Sequence, residues 1–219
     1  MLKEMYLQGI EVQAILLDGE VRERNKEIQL ERTKGYFLWP DFQDIEEYRI
    51  PTYIVRDHNG LHAETILRAL EPDVIINAGT PRRIGENILA IPKRGMVNVH
   101  PGMLPSYQGS MTPEWAILND DPVVITCHFA TKFYDDGPIV LEKELVIKKG
   151  DIWQKVRAQV IYETARVMAE GLRKIEAQNL SLATMPPLAG EGTLHKRMPD
   201  DKLHIVKAKL ADGTYKHAK

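Results

Sequence analysis

Two polar side chains, Asn98 and His100, stand two residues apart at the end of the apolar run Met96-Val-Asn-Val99. Alternation along a strand puts both on one side of a sheet. Open α/β sheets gather ligands outside the carboxyl ends of their strands, so the pair is expected to face a cleft. Pro101, Gly102 and Pro105 then force a rigid, non-helical loop. Asn-x-His by itself reads more simply as a strand end that caps local backbone. A second cluster changes the weighing. The run Thr126-Cys-His-Phe129 ends another strand, and seven residues after His128 comes Asp135, on a turn with Asp136 and Gly137. An amide donor, an imidazole and a carboxylate together suit acyl-type transfer: the first two stabilise a developing oxyanion, and the carboxylate keeps the imidazole charged and manages protons. His100, His128 and Asp135 are also chemically suitable metal ligands. Cys127, mid-strand beside a histidine, reads as a packed small residue rather than a nucleophile.

The elements that must carry these residues alternate. Leu2, Met5 and Tyr6 have helical spacing, with Gly9 as a stop. Strands are expected at 12–17, 51–55, 73–77, 96–99, 123–129 and 139–146. Helices are expected at 20–33, 61–70, 85–90 and 114–118, with a break at 37–41 around Trp39-Pro40. Asp151 is expected to cap a long helix whose Val156, Val160, Val167, Met168, Leu172 and Ile175 share one face. Such alternation predicts an α/β fold with a mostly parallel sheet and helices on both faces. After Asn179 the composition shifts, with Pro186-Pro187 and Gly190-Glu-Gly192. Residues 1–179 therefore read as a catalytic domain, and 180–219 as a linker and short accessory tail.

Asn98-x-His100-Pro101, Leu104-Pro105, Gly109, His128 and Asp135-x-Gly137 together resemble the signature of the formyltransferases that use 10-formyltetrahydrofolate. That family includes glycinamide ribonucleotide, methionyl-tRNA and amino-sugar-nucleotide formyltransferases. The likeness is close over residues 73–154 and weaker over 12–55. It implies a Rossmann-like formyltransferase fold, and transfer of a formyl group from 10-formyltetrahydrofolate, as co-substrate, to a primary amine of a small acceptor. Asn98 resembles the residue that hydrogen-bonds the formyl oxygen. His100 resembles the imidazole that stabilises its charge and shuttles a proton. Asp135 resembles the carboxylate that pairs with the histidine and assists amine deprotonation, whereas Asp136 sits where the family varies. The loop at 79–84 resembles the folate pocket, which assigns Arg82, Arg83 and Ile84 to donor binding, with a surface turn as the plain reading. His128 is grouped with them behind the catalytic pair, its plain reading being a buried, hydrogen-bonded histidine. The resemblance also implies a cis Leu104–Pro105 peptide.

Three departures from the family pattern stand out. Gly102 replaces the usual Ser and is expected to loosen the loop. Gln108 replaces the common Arg, so a substrate-phosphate contact is expected to be lost. The family's opening strand and glycine loop are not found ahead of Leu2, which weakens the ribonucleotide as the acceptor. Some 40 residues after the last helix are too few for the barrel of the tRNA enzyme, so an amino-sugar nucleotide or glycinamide-ribonucleotide-like amine is expected. The alternatives are a 10-formyltetrahydrofolate hydrolase and a non-catalytic folate- or nucleotide-binding paralogue. No metal is assigned, because the wider motif accounts for more residues than a ligand set does.

The 219 residues suit one α/β domain with some chain to spare, and 43% apolar content supports a core. No stretch reaches the roughly 18–20 apolar residues of a membrane span. Lys and Arg (29) nearly balance Asp and Glu (31), for a net charge of −2, so a nucleic-acid partner is not expected. From His195 onward the local charge is +4, leaving −6 elsewhere; this reads as a solvated tail, with a weak phosphate-attracting patch as the sharper alternative. A single cysteine excludes an internal disulfide. With no secretory pattern at the start, a cytoplasmic location is expected. A homodimer is left open.

Overall fold

The computed structural model describes residues 1–19, 23–38, 46–80 and 82–219. Its elements, in order, are α1 (Leu2–Leu7), β1 (Ile15–Asp18), α2 (Glu23–Thr33), β2 (Thr52–Val55), α3 (Leu61–Leu70), β3 (Val74–Asn77), α4 (Glu86–Leu89) and β4 (Gly95–His100). There follow β5 (Gln108–Gly109), α5 (Thr112–Asn119), β6 (Val124–Phe129), β7 (Ile139–Glu144), α6 (Trp153–Ala177), β8 (Leu194–His195) and α7 (Asp200–Ala211). Most of the expected break at 37–41, with Trp39, lies outside the described residues.

This is a Rossmann-like α/β architecture. Among the described residues β1 pairs with β2, β3 with β4 and β5 with β8, each in parallel. The main sheet runs β3-β4-β6-β7, and its β4–β6 and β6–β7 pairings are antiparallel. The β6–β7 pairing follows from chain length: the nine residues between Phe129 and Ile139 cannot hold the crossover a parallel return needs. The sheets β1-β2 and β3-β4-β6-β7 are hydrogen-bonded separately.

Alternation along β4 and β6 sorts side chains between two helical layers. Val97, Val99, Ile125, Cys127 and Phe129 enter the main core with Val156, Val160, Val167, Met168, Leu172 and Ile175 of α6. Met96, on the other face, packs with Leu67 of α3 and Ile88 of α4. Asn98, His100, Thr126 and His128 share Met96's parity, so they lie on the face away from α6. Close packing fixes that division: a Cβ on Gly171 of α6 would fall 2.4 Å from Cys127 Sγ.

Two expectations need correction. The N-cap of α6 is Ile152, not Asp151. Asp151 closes the preceding turn, accepting the Lys148 N–H at 3.0 Å and pairing with Lys155. The stretch past Asn179, expected as linker and tail, carries β8 and α7, and its Met198, Val206, Leu210 and Tyr215 are buried in the same core as α6. No helix among the described residues is long and apolar enough to cross a membrane.

Candidate active site

The register of the main sheet brings the site together. Asn98 lies opposite His128, and His100 opposite Thr126. Asn98 Nδ2 donates to His128 Nε2 at 3.0 Å, and His128 Nδ1–H donates to the Phe129 carbonyl at 2.9 Å. These two bonds require the neutral imidazole. Burial pushes His128 down to about 4 against the pull of Asp135, in keeping with that tautomer. An amide nitrogen carries two protons, so Asn98 keeps one for an oxygen arriving at the strand end.

His100 is buried, at 5% exposure. Its Nε2–H donates to the Tyr107 carbonyl at 2.7 Å, with Thr112 Oγ1 3.4 Å away, and its Nδ1 lies 3.3 Å from Asp135 Oδ1. Burial lowers its pKa, opposed by the Asp135 charge and the Tyr107 carbonyl. With Nε2–H committed to Tyr107, Nδ1 and Oδ1 attract each other only when one of them holds a proton. The same Oδ1 is 3.8 Å from His128 Nε2. Asn98, His128, Asp135 and His100 thus form one linked cluster, and Asp136 is exposed beside it.

Asp135 sits in the left-handed region at φ +49° and is held from two sides. Gln108 Nε2 donates to its carbonyl and the Gly109 N–H donates to its Oδ2, each at 3.0 Å. The glycine two residues on has a plain cause: a Cβ at Gly137 would lie 1.7 Å from the Phe129 carbonyl oxygen. The loop after β4 is pinned by Thr112 Oγ1 on the Pro101 carbonyl and Thr126 Oγ1 on the Gly102 carbonyl, both at 2.7 Å. The Leu104–Pro105 peptide is cis. Gly102 does not loosen this loop. A Cβ there would meet the Tyr107 carbonyl at 2.3 Å and His100 Nε2 at 2.6 Å, so the missing side chain is what lets those two atoms meet.

Arg82, Arg83 and Ile84 lie apart from that cluster, at the carboxyl ends of β1, β2 and β3. Arg82 Nη2 is 2.7 Å from Asp18 and 3.1 Å from Asp57. Asp18 also takes a short bond from His58 Nδ1. The Arg83 carbonyl receives Asn59 Nδ2 at 2.9 Å and faces His58 Nε2 at 3.3 Å. Its guanidinium lies over the Tyr134 ring, 5.9 Å from the centroid, which leads from this loop back to Asp135. Ile84 and Ala130 both pack against the buried cluster that holds Met96, and Met96 and Ala130 lie two residues from Asn98 and His128 respectively. A flat heterocycle would find an apolar wall and exposed main chain here: among the described residues, none beyond its chain neighbours lies within 4 Å of a Cβ placed on Gly79.

The sequence reading missed Tyr107, and it gave Gly109 and Gln108, which it did single out, no part in holding Asp135, because Tyr107 and Gly109 act through backbone atoms. Cys127 is fully buried and its thiol is pushed up to about 12, which removes it as a nucleophile.

A family model described as formyl transferase matches residues 43–172, more than half of the chain. Methionyl-tRNA formyltransferase of Thermotoga maritima is 29% identical over 138 residues, which are 63% of this chain and 44% of that protein. The bifunctional polymyxin resistance protein ArnA of Wigglesworthia glossinidia brevipalpis is 27% identical over 158 residues, 72% of this chain and 24% of its own. The chain therefore spans less than half the length of these relatives. Among solved structures, the formyltransferase PseJ from Anoxybacillus kamchatkensis, in complex with UDP-4,6-dideoxy-4-formamido-L-AltNAc and tetrahydrofolate, superposes with a TM-score of 0.58 at 18% identity. The match covers 91% of this chain and 94% of that one. Phosphoribosylglycinamide formyltransferase from Bacillus halodurans gives 0.56 at 20% identity, covering 76% and 95%. The chain belongs to the formyl transferase family.

Proposed function

We propose that this protein transfers a formyl group from 10-formyltetrahydrofolate to a primary amine on a small acceptor, an amino-sugar nucleotide or a glycinamide-ribonucleotide-like compound. The observation that carries the reading is the cluster of Asn98, His100 and Asp135 linked through His128, with His100 Nδ1 3.3 Å from Asp135 Oδ1. The co-substrate supplies a formyl carbon open to attack. Arg82, Arg83 and Ile84 border the apolar wall on which its ring system would lie, and His128 holds Asn98 in orientation.

Asn98 donates its free amide proton to the formyl oxygen as that oxygen gains charge. The attacking amine loses a proton as its C–N bond forms, and the His100–Asp135 pair accepts it. The same pair returns a proton to the nitrogen that leaves, so the protein ends in its starting state. Neither a covalent enzyme intermediate nor a metal is required by these steps.

The test is incubation with 10-formyltetrahydrofolate and a panel of primary amines that includes a 4-amino-sugar nucleotide and glycinamide ribonucleotide. Formylated product is expected with one of them, and loss of at least 100-fold in kcat for His100→Ala. Formate release without any amine would mark a hydrolase instead, and unchanged turnover in His100→Ala would overturn the assignment.

A further inference from the structure

The chain past Asn179 comes back to the site. The Thr193 N–H donates to the Pro105 carbonyl at 3.2 Å, and the Gln108 N–H to the Thr193 carbonyl at 3.0 Å. The Ser110 N–H donates to the His195 carbonyl at 2.9 Å. β8 thereby runs parallel to β5, with Gln108 beside Leu194 and Gly109 beside His195. Successive N–H groups of a strand point to opposite edges. Those of Gln108 and Ser110 are given to β8, so that of Gly109 points the other way, to Asp135 Oδ2 at 3.0 Å. The seam is closed by His195. Its ring stacks on Tyr107 at 5.1 Å and lies tilted against Trp115 at 5.3 Å, and its Nε2–H reaches the Ser106 carbonyl.

Two glycines make the approach possible. A Cβ on Gly109, whose φ is +94°, would lie 2.4 Å from the His195 carbonyl oxygen. A Cβ on Gly192 would fall 2.2 Å from Oε1, 2.5 Å from Cδ and 2.7 Å from Nε2 of Gln108. Gly192 is itself exposed. Its bare face lies flat on the same carboxamide that holds the Asp135 carbonyl.

We propose that residues 192–195 are a positioning element of the transfer site, which clamps Gln108 and Gly109 so that these hold Asp135 against His100. The inference deepens the reading as a formyltransferase and rests on it for the catalytic consequence alone. The stretch that composition marks as an appendage is in this view part of the machinery, and Gln108, in place of an arginine, serves Asp135 rather than a substrate phosphate.

The full chain is tested in two variants. Gly192→Ala pushes the Gln108 carboxamide aside from an exposed position without entering the core, and Gln108→Leu removes it. Each is expected to lower kcat by about 10- to 100-fold, with KM for 10-formyltetrahydrofolate unchanged. The double variant is expected to be no worse than Gln108→Leu alone, since both act through one amide. A readout independent of turnover is the pH titration of the His100 ring by NMR. The groups that face it are Asp135, His128 and Thr112. With Asp135 displaced, its midpoint is expected to fall in both variants. A His100 midpoint unchanged in both, or strictly multiplicative losses in the double variant, would overturn the proposal. A shifted midpoint in a protein that formylates no amine would leave the clamp standing and sink the functional reading alone.

Discussion

His100 Nδ1 lies 3.3 Å from Asp135 Oδ1 while the other ring nitrogen is given to the Tyr107 carbonyl. That arrangement can take up one proton between an imidazole and a carboxylate in a largely dry site, where the interaction is stronger than in water. Asp135→Asn keeps the shape and the bond from Gly109 but removes the charge. Its expected effect is a fall in kcat of about 10²- to 10⁴-fold with little change in donor KM. The acid limb of the kcat profile is expected to move to lower pH, because the Asp135 charge raises the His100 pKa. Steady-state rates from pH 5 to 9 check both. A loss confined to KM would remove Asp135 from proton transfer.

Gly102 offers a sharper test of how His100 is held. In Gly102→Ser the new Cβ must move away from the Tyr107 carbonyl at 2.3 Å and His100 Nε2 at 2.6 Å. The backbone atom cannot yield cheaply, so the His100–Tyr107 bond is expected to open. The stability cost is about 1–3 kcal/mol, in the range of overpacked sites and of a lost buried hydrogen bond. Denaturant midpoints and kcat should fall together. A variant with wild-type values for both would show that the carbonyl is not what orients the ring.

His128 gives stability a direction with pH. Its folded-state pKa is pushed down from 6.5 to about 4 by burial. In that interval the unfolded chain binds a proton that the folded chain refuses, so the contribution is complete above about 6.5 and lost as pH falls towards about 4. His100, shifted the same way, adds to the slope. Urea midpoints are expected to fall steadily from pH 7 to pH 4.5 in the wild type. His128→Asn removes one titrating ring and should flatten that fall.

How much of this could be read from residues alone follows from which atoms carry each feature. The apolar runs of β3, β4 and β6 and the one-faced pattern of α6 announce themselves, since side chains make both the pattern and the contact. Asn98, His100 and Asp135 were visible for the same reason. What holds them was not, because the Tyr107 carbonyl and the Gly109 N–H belong to backbone that every residue has. β8 was missed because two residues are too short for a period. α7 left a legible trace: Asp200 and Asp201 follow Pro199, and Leu203, Val206 and Leu210 fall on one face. The composition shift near Pro186 hid it.

Cys127 lies next to His128 in sequence, yet strand alternation turns it to the opposite face, against Gly171 of α6. Its thiol, buried and pushed up to about 12, is not expected to react with iodoacetamide at pH 8 until the chain unfolds. Cys127→Ala should retain turnover and lose about 1 kcal/mol from the small void it leaves. Mass spectrometry of native and denatured protein checks the first point, and loss of activity in the alanine variant would contradict the packing role.

Asn59 and His58 supply the last test, on the donor side. Asn59 brackets the loop at 83–85 with both ends of its amide, donating Nδ2 to the Arg83 carbonyl at 2.9 Å and accepting the Gly85 N–H at 2.6 Å. His58 faces the same Arg83 carbonyl while bonding Asp18, which in turn anchors Arg82. Asn59→Asp keeps the acceptor for Gly85 and replaces the donor to Arg83 with an oxygen that repels it. If residues 82–84 wall the folate site, tetrahydrofolate affinity by calorimetry should weaken about 5- to 10-fold, the equivalent of one lost hydrogen bond. His58→Ala should act in the same direction, and kcat at saturating donor should fall far less than with Asp135→Asn, because the hydrogen bonds of His58 and Asn59 go to Asp18, Asp57, Arg83, Gly85 and Asn87 rather than to Asn98, His100 or Asp135. Undiminished affinity in both variants would move the donor site away from this loop.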